Sequence, residues 1–298
     1  MLKAILGGLY KIQWGIIKLI PPSRRQKLLN WRLTWHIRYL PTYINLYVWK
    51  RTPIVVYQMS KVGSSSIYHS LLSHGLFTLH CHYLRPSVTE SRKSAVKYPA
   101  QVQGRHWAWI YKNFVEKKRP AKFITLVRDP IAQAVSQHFQ GNRAFFFGNH
   151  SNVSLDEIEA EFSTRLDKIL IERTNWFDTE FNPVLDIDIF ATPFDASRGY
   201  AHIQKGVYEV LILRLETADA IKEQAIAEFV GAKHFKLIKA NVAEEQVYAD
   251  LYRQFKQRVI IPKEVLDRVY DSKLAGHFYT TEERAAFKAK WLKNHDRE

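Results

Sequence analysis

The sequence has little of three things that would narrow its class: cysteine, acidic residues near the amino terminus, and long apolar runs. Cys81 is the single cysteine among 298 residues, so no disulfide within the chain is possible and an oxidising compartment is not required. No Gly/Ser-rich linker, repeat or low-complexity tract divides the chain. These absences favour a cytoplasmic protein with a single α/β domain over residues 23–298.

Acidic side chains are missing from the first 89 residues, and Glu90 is the first acid of the chain. That stretch carries twelve lysines and arginines, and so holds most of the formal net charge of +15. A field of one sign favours a polyanionic partner or an anionic membrane surface. A basic surface without a specific partner explains the same charge, and we expect no nucleic-acid partner.

Residues 1–22 are apolar and aromatic, yet too charged for a membrane-spanning helix. Three lysines interrupt the run and fall on one side of a helix, while three glycines weaken its helicity. No small-residue cleavage site follows, which argues against a signal peptide. The pattern predicts an interfacial helix, stopped by Pro21-Pro22, that makes peripheral contact with an anionic membrane. A helix packed on the domain itself is the alternative.

Four runs of β-branched and apolar residues predict buried strands, at 53–59, 76–83, 122–128 and 208–215. Between these strands and towards the end of the chain, apolar residues recur at the intervals typical of helices. Residues 176–206 show no regular pattern and are predicted to be irregular. Strands that alternate with helices predict an α/β fold, with a mostly parallel central sheet flanked by helices. Ligands of such sheets bind at the carboxyl ends of the strands.

The loop after the first predicted strand has the chemistry of an anion cradle. Gly63 lets the backbone approach an oxyanion closely, and Lys61 supplies a positive charge. The following helix offers free amides and a favourable dipole, and Ser64, Ser65 and Ser66 add hydroxyl donors. The loop is not a Walker A sequence, which needs two glycines and a lysine directly before Ser or Thr. A serine-rich helix cap with an unrelated lysine is the structural alternative.

A second anion site is predicted where the third strand ends. Arg128 ends that strand, and a guanidinium fork binds phosphate bidentately. Ser136 lies eight residues on, in the helix that Pro130 is suited to start, where a hydroxyl can complete the same site. Two anion sites at the ends of two strands suit a nucleotide with phosphates at both ends.

These two motifs resemble those with which sulfotransferases bind their nucleotide. Lys61-Val62-Gly63-Ser64-Ser65-Ser66 resembles the 5′-phosphosulfate loop, and Arg128-Asp129-Pro130 with Val135-Ser136 resembles the 3′-phosphate motif. The resemblance implies a P-loop-like sulfotransferase fold and 3′-phosphoadenosine 5′-phosphosulfate as the donor substrate, with no metal. It also implies that Lys239 covers the 3′-phosphate, although solvation explains that lysine equally well. Ser60 stands where the family usually has proline, which predicts a less rigid start of the loop.

From about residue 53 to its end, the chain resembles more narrowly the bacterial capsular polysaccharide synthesis proteins. The segments that carry this likeness are Trp176-Phe177-Asp178, Pro193-Phe194-Asp195, Arg214-Leu215-Glu216 and His277-Phe278-Tyr279-Thr280. The likeness implies a carbohydrate acceptor, an acidic or neutral glycan such as a polysaccharide or its lipid-linked precursor. Most tryptophans lie in cores, but five offer aromatic faces for sugar contact: Trp31, Trp35, Trp107, Trp109 and Trp176.

Transfer to a hydroxyl needs a base, and imidazole suits that task near neutral pH. His106 is the predicted base, because it follows the short stretch 102–105 and precedes a helix, which places it where a strand meets a helix. It lies 22 residues before Arg128, a placement that resembles that of the catalytic histidine of heparan sulfate 2-O-sulfotransferases. A histidine packed beside tryptophans is the structural alternative. His80 and His82 share one face of a strand and are the rivals, as a base or as metal ligands.

Three further functions are consistent with parts of the sequence. A glycosyltransferase of capsular polysaccharide synthesis would use Asp186 and Asp188 to hold a divalent metal and a sugar nucleotide. A phosphotransferase would use Asp129 to hold magnesium. A non-catalytic binder of polyanions would rely on charge alone. The sulfotransferase is preferred because it explains both anion motifs, with Lys61 placed to stabilise the leaving phosphate.

Overall fold

The computed structural model describes residues 40–94, 98–141, 154–238 and 249–292. Within these ranges the chain forms a five-stranded sheet with the strand order β2-β1-β3-β5-β4. The strands are β1 (Ile54–Tyr57), β2 (Thr78–Cys81), β3 (Ala121–Val127), β4 (Tyr200–Lys205) and β5 (Tyr208–Arg214). Neighbouring strands are parallel except β4, which pairs antiparallel with β5 at one edge. The predicted α/β fold with a mostly parallel central sheet is confirmed.

Helices cover the sheet and extend the molecule beyond it. In the described residues they are α1 (Ser64–Ser73), α2 (Pro86–Lys93), α3 (Tyr98–Ile110), α4 (Pro130–Gly141), α5 (Leu155–Thr174), α6 (Asn182–Leu185), α7 (Asp219–Val230), α8 (Ala249–Arg258), α9 (Lys263–Tyr270), α10 (Lys273–Phe278) and α11 (Thr281–Leu292). Single π-helical turns lie at Ile44–Val48, Tyr111–Val115 and Phe177–Phe181, and a 3₁₀ turn at Ile189–Ala191. The π turn at Tyr111–Val115 extends α3.

Two hydrophobic cores hold these elements. The first contains the sheet, whose central strands are buried along almost their whole length, together with side chains of α1, α3 and α7. The second lies among α4, α5, α8, α9 and α11 and is centred on Phe139, Phe162 and Phe255. Burial on both faces explains why the runs at β1, β3 and β5 are continuous in the sequence rather than alternating.

Local signals placed two helices correctly. Pro130 begins α4, since its missing N–H is one that a first turn leaves unpaired. Ser154 and Glu157 form a capping box, with Ser154 Oγ accepting from the Glu157 amide and the Glu157 carboxylate accepting from the Ser154 amide. Two donors are thereby satisfied at the start of α5.

The sequence interpretation was wrong at β4, which lies inside the stretch read as irregular. This strand is polar and half-exposed, as expected of an edge strand with one face in water. Gly206, with φ of +59°, sits in the turn that joins β4 to β5. This segment is therefore a strand because it pairs with β5 in a hairpin, and not because its residues are apolar.

A second correction concerns the surroundings of His106. The stretch 102–105 is not a strand, because α3 begins at Tyr98 and places His106 in the interior of a helix. Gly104 is a contact point rather than a break: a Cβ there would lie 2.6 Å from the Lys93 amide nitrogen. The glycine lets α2 pack directly against α3, which reading the sequence locally cannot show.

Several predicted features lie outside the described residues: the interfacial helix at 1–22, Trp31, Trp35 and Lys239. Of the helices that the structure describes, none combines the length and the apolar character needed to cross a bilayer.

Candidate functional site

The loop of residues 60–66 is here called the anion loop. Two of its residues have a left-handed backbone conformation, which is favourable for one of them and strained for the other. Gly63 has φ of +89°, the left-handed region that glycine enters at no steric cost. A Cβ at Gly63 would lie 2.9 Å from Leu215 Cδ1, just beyond the end of β5. Lys61 is also left-handed, with φ of +68°, a conformation that costs energy for a lysine and that often occurs at ligand sites.

Ser60 is held firmly at the start of this loop. Its carbonyl oxygen accepts a hydrogen bond from Gln133 Nε2 at 2.7 Å, and its hydroxyl donates to Gln137 Oε1 at 2.7 Å. Both glutamines lie on α4. The structure thus supplies by side-chain contacts the anchoring that the missing proline would have given, and the predicted looseness at Ser60 is not what the geometry shows.

The two anion motifs meet at one edge of the sheet. Arg128 Nη1 donates to the Lys61 carbonyl oxygen at 3.0 Å, so the end of β3 touches the loop that follows β1. Ser136 is 5% exposed and lies on α4 between Gln133 and Gln137, which both contact Ser60. Residues three and four apart share a helix face, so Ser136 faces the same region. The predicted convergence of these residues is present.

The remaining residues of the anion loop have different environments. Ser64 and Ser65 begin α1, whose cap residue Gly63 provides no side-chain hydrogen bond, so their amides keep the orientation of a helix start. Val62 is fully buried, which leaves only its backbone for an anion. Ser66 differs, because its hydroxyl donates to the carbonyl oxygen of Ile238.

Residues 235–238 are tied to α1 immediately before Lys239. The Ile238 amide donates to Ser70 Oγ at 2.7 Å, in addition to the Ser66 contact with the same residue. The chain therefore reaches residue 239 from a point beside the anion loop. That geometry is compatible with the role predicted for Lys239.

Asp129 is fully engaged inside the protein. Its Oδ1 accepts from the Ile131 amide at 3.0 Å and from the Tyr270 hydroxyl at 2.9 Å, and its Oδ2 accepts from Trp291 Nε1 at 3.3 Å. Burial and this carboxylate raise the pKa of Tyr270. The carboxylate links the first turn of α4 to the carboxyl-terminal helices. Both of its oxygens already accept hydrogen bonds inside the protein, which disfavours a role as a magnesium ligand.

Beside the anion loop, the carboxyl end of β2 carries a cluster of histidines that the sequence interpretation ranked second. His82 follows β2, and its Nδ1 lies 2.8 Å from the Gln58 carbonyl oxygen. Because a carbonyl only accepts, Nδ1 carries the proton, which leaves Nε2 of the neutral ring as an acceptor. The rings of His80 and His82 lie 4.7 Å apart, edge to face.

His80 is held as a neutral imidazole. Burial lowers its pKa well below the usual value, and the imidazoles of His82, His106 and His69 lower it further. Its Nε2 is buried and has no hydrogen-bond partner among the described residues. The lowered pKa keeps this imidazole neutral and also makes it a weaker proton acceptor than an exposed histidine.

His106 lies on α3 and lines a cavity of about 240 Å³ together with Tyr68 and with Thr78, the first residue of β2. Its charge also affects His80. No residue of the anion loop lines this cavity. The structure therefore places His106 beside the start of β2 and near His80, and not at the carboxyl edge where Lys61 and Arg128 lie. In the described residues, no group of three or more His, Cys, Asp or Glu side chains is arranged to hold a metal ion.

Two buried groups near this cluster were missed by the sequence interpretation. Gln58 has no exposed surface, and among the described residues neither Oε1 nor Nε2 of its amide has a partner. Arg173, in the last turn of α5, is 6% exposed, and its buried Nε also has no partner. An arginine inside an amphipathic helix reads as surface charge, and only the tertiary structure shows its burial.

The carboxylates proposed for a glycosyltransferase have structural partners. Asp188 Oδ1 accepts from the Phe190 amide at 3.0 Å and caps the 3₁₀ turn. The Asp186 carboxylate lies 3.4 Å from Lys205 Nζ.

Of the tryptophans expected to contact sugar, two of the three that the structure describes are in the core. Trp107 is 3% and Trp176 is 2% exposed. The ring of Trp107 packs beside His82 and Tyr83. Trp109 is half-buried and packs edge to face against Tyr43.

The four segments that carry the capsular likeness pack against one another. The rings of Phe177 and Phe194 lie 5.9 Å and 4.9 Å from that of Phe278. Arg214 Nη1 donates to the Phe278 carbonyl oxygen at 3.1 Å, and Tyr279 donates to Glu216 at 3.0 Å. These segments therefore form one structural unit next to the carboxyl end of β5.

Comparison with known proteins finds a match only for the part of the chain that contains these segments. A family model described as "Putative capsular polysaccharide synthesis protein" matches residues 152–280, a range that contains all four segments. No curated protein and no solved structure matches the chain. The match links the chain to capsular polysaccharide synthesis, whereas the anion loop and Arg128 lie outside the matched range.

Proposed function

We propose that this protein is a carbohydrate sulfotransferase with a P-loop-like sulfotransferase fold. It takes a sulfuryl group from 3′-phosphoadenosine 5′-phosphosulfate and places it on a glycan hydroxyl during capsular polysaccharide synthesis. The observation that carries the proposal is the hydrogen bond from Arg128 to the Lys61 carbonyl oxygen. It joins two separate anion motifs at the carboxyl edge of the sheet, as a nucleotide with two phosphate ends requires.

The anion loop would hold the 5′-phosphosulfate. The amides at the start of α1 and the hydroxyls of Ser64 and Ser65 would donate to its oxygens. Arg128 and Ser136 would bind the 3′-phosphate, and Lys239 would cover it.

The reaction is a substitution at sulfur that needs no metal. The acceptor oxygen forms a bond to sulfur as the bond from sulfur to the bridging oxygen breaks. The acceptor proton goes to the base, and the electron pair stays on the 5′-phosphate, whose added charge Lys61 would stabilise. His106 is the proposed base, and the neutral His80 beside it is the alternative.

Nucleotide binding tests this proposal without knowledge of the acceptor. Adenosine 3′,5′-bisphosphate should raise the melting temperature of the protein in the presence of EDTA, because binding to the folded state stabilises it. ATP with magnesium should have a much smaller effect. Stabilisation by a sugar nucleotide only with manganese would instead identify a glycosyltransferase, and stabilisation by ATP only with magnesium a phosphotransferase.

Residues 1–22 are proposed to attach the enzyme to an anionic membrane at the cytoplasmic side, where lipid-linked precursors are presented. A protein that begins at Ser23 should lose salt-sensitive binding to vesicles with anionic lipid and should keep its affinity for adenosine 3′,5′-bisphosphate. Cosedimentation at low and high salt measures the first property. Equal vesicle binding by both forms would exclude this role for residues 1–22.

A further inference from the structure

The parallel strands of the sheet begin at the edge opposite the anion loop, here called the amino edge. Three segments meet there, each directly before a strand or in the turn that leads into one: residues 47–52, 116–120 and 205–207. The Lys122 amide donates to the Pro53 carbonyl oxygen at 3.0 Å, and the Ala121 amide donates to the Val207 carbonyl oxygen at 3.4 Å. These bonds hold the three segments side by side.

Apolar side chains of the amino edge are exposed to water. Val48, at 69%, is the most exposed large apolar side chain of the described residues, and Tyr47 and Val207 are 52% and 43% exposed. The Arg119 guanidinium lies 5.6 Å from the centre of the Tyr47 ring, so the segment before β3 contacts the segment before β1. The exposed apolar side chains are therefore interleaved with a cation.

Positive charge dominates the same edge. The three segments contain six lysines and arginines against a single acid, Glu116. Lys205 pairs with Asp186, and the edge keeps an excess of positive charge after that pair is set aside. The residues that combine the exposed apolar and basic character are here called the docking surface: Tyr47, Val48, Lys117, Lys118, Arg119 and Val207.

This combination matches the surface of a bilayer that contains anionic lipid. Aromatic rings are favoured at the level of the headgroups, and lysine and arginine are attracted to anionic headgroups. Besides Arg119 at Tyr47, the Arg51 guanidinium lies 4.7 Å from the centre of the Trp49 ring. Cations beside aromatic rings can thus contact headgroups while Val48 reaches the apolar layer below.

The chain enters the described domain at this edge. Leu40, the first described residue, is 52% exposed. Pro41 and Asn45 line the 240 Å³ cavity together with Phe77 and Thr78, where β2 begins. Residues 1–22, for which membrane contact is proposed above, therefore join the domain on the side of the docking surface. Two membrane contacts on one chain strengthen each other, because the first raises the effective concentration of the second.

We propose that the docking surface lies on a bilayer that contains anionic lipid, with Val48 inserted among the headgroups. An apolar segment combined with a basic patch attaches a protein more stably than either alone, so the surface acts together with residues 1–22. The anion loop then faces away from the bilayer, because β3 separates the two edges of the sheet by about 20 Å. The inference concerns where the protein binds and holds whatever reaction it catalyses.

Cosedimentation of the full chain with vesicles of phosphatidylcholine and phosphatidylglycerol tests the docking surface. The double variant Val48→Ser/Lys117→Glu should bind these vesicles about tenfold more weakly than the parent, because it removes an inserted side chain and reverses a charge. The matched control is Ile171→Ser/Lys168→Glu on α5, where Ile171 is 56% exposed and Lys168 is exposed. It makes the same change in charge and should bind like the parent.

A dye at residue 48 tests insertion directly. Cys81 is buried, so Val48→Cys supplies an accessible thiol for a polarity-sensitive dye. The emission should shift to shorter wavelength when anionic vesicles are added, whereas a dye at Ile171→Cys should not respond. No shift at residue 48 in vesicle-bound protein would overturn the proposal. So would binding to a soluble anionic polysaccharide, without vesicle binding, that Lys117→Glu abolishes and Val48→Ser leaves intact.

The outcomes separate the docking surface from the other proposals. Vesicle binding by the double variant equal to that of the parent excludes the surface, as does equal weakening in the α5 control or a parent that binds no anionic vesicles. If the protein that begins at Ser23 binds like the full chain while the double variant loses binding, the docking surface stands and the role of residues 1–22 fails. None of these measurements depends on binding of adenosine 3′,5′-bisphosphate.

Discussion

The two halves of the sheet's carboxyl edge differ in how their polar groups are satisfied. On the side of β1 and β3, Ser60 is held by two glutamines, Arg128 by the Lys61 carbonyl oxygen, and Asp129 by three donors. Between β1 and β2, the buried amide of Gln58, which follows β1, and Nε2 of His80 on β2 have no partner in the described residues.

The polar groups of the first half form a preformed, hydrogen-bonded framework, whereas those of the second half have unused hydrogen-bonding capacity. Satisfied buried networks add rigidity, whereas unpaired buried groups cost about 1–3 kcal/mol each. Under the proposed function, the first half would bind the nucleotide without rearranging. The unpaired groups of the second half would gain partners from the bound acceptor.

The largest expected effect tests whether the β2 side does chemistry. His106→Ala should lower the rate of sulfuryl transfer by about 10²–10⁴-fold, the usual contribution of a positioned base, while binding adenosine 3′,5′-bisphosphate like the parent. Transfer of labelled sulfate to a panel of capsular glycans measures the rate. Lys61→Ala is the contrasting variant, because it should lose both donor affinity and rate.

The outcome for His80→Ala identifies the base if His106 is not it. Near-normal turnover in His106→Ala, with a collapse in a folded His80→Ala protein, would move the base to β2. If both variants keep their rate, neither imidazole is the base.

The next effect concerns the framework itself. Asp129→Ala should lower the free energy of unfolding by about 3–5 kcal/mol, because the Ile131 amide, the Tyr270 hydroxyl and the Trp291 indole lose their acceptor together. Urea unfolding of the nucleotide-free protein measures it. Tyr270→Phe removes one of these contacts and should cost about 1–2 kcal/mol. A negligible loss in Asp129→Ala would show that this network does not anchor α4.

Phosphate recognition by the framework should respond to geometry as well as to charge. Arg128→Ala should weaken binding of adenosine 3′,5′-bisphosphate by about 2–4 kcal/mol, because a charge-assisted pair is lost. Arg128→Lys should restore only part of this, since an ammonium cannot form the fork. Calorimetric titration gives both values, and unchanged affinity in Arg128→Ala would remove Arg128 from the site.

The smallest expected effect is a change in the free energy of unfolding, which should have opposite signs for two buried glutamines. Gln58→Met should raise the free energy of unfolding of the ligand-free protein by about 1 kcal/mol, because it removes an unpaired buried amide and keeps the volume. The matched control is Gln133→Met, which is also fully buried but breaks the bond to Ser60; it should lower stability by a similar amount. Destabilisation by both changes would mean that the Gln58 amide is already satisfied, and the contrast between the two sides would disappear.

Part of the fold and of the site could be predicted from the sequence because local chemistry determined it. The runs at β1, β3 and β5 are apolar enough to be strands in any context, Pro130 and the Ser154 capping box mark helix starts, and Gly63 marks a close backbone approach. Arg128 could be placed at the carboxyl edge of the sheet because it directly follows a buried parallel strand. Such signals depend on a few neighbouring residues, so a sequence reveals them.

Only the tertiary structure decided the features that depend on residues far apart in the chain. The stretch 102–105 belongs to a helix that begins at Tyr98, so His106 is in a helix interior rather than at its start, and Gly104 is where a second helix approaches closely. Ser60 lacks the expected proline and is instead anchored by glutamines more than seventy residues away. Arg173 resembles an ordinary helical charge, yet it is only 6% exposed in the folded protein. Burial and pairing are properties of the assembled structure, because the same side chain is solvated or unsatisfied according to what packs around it.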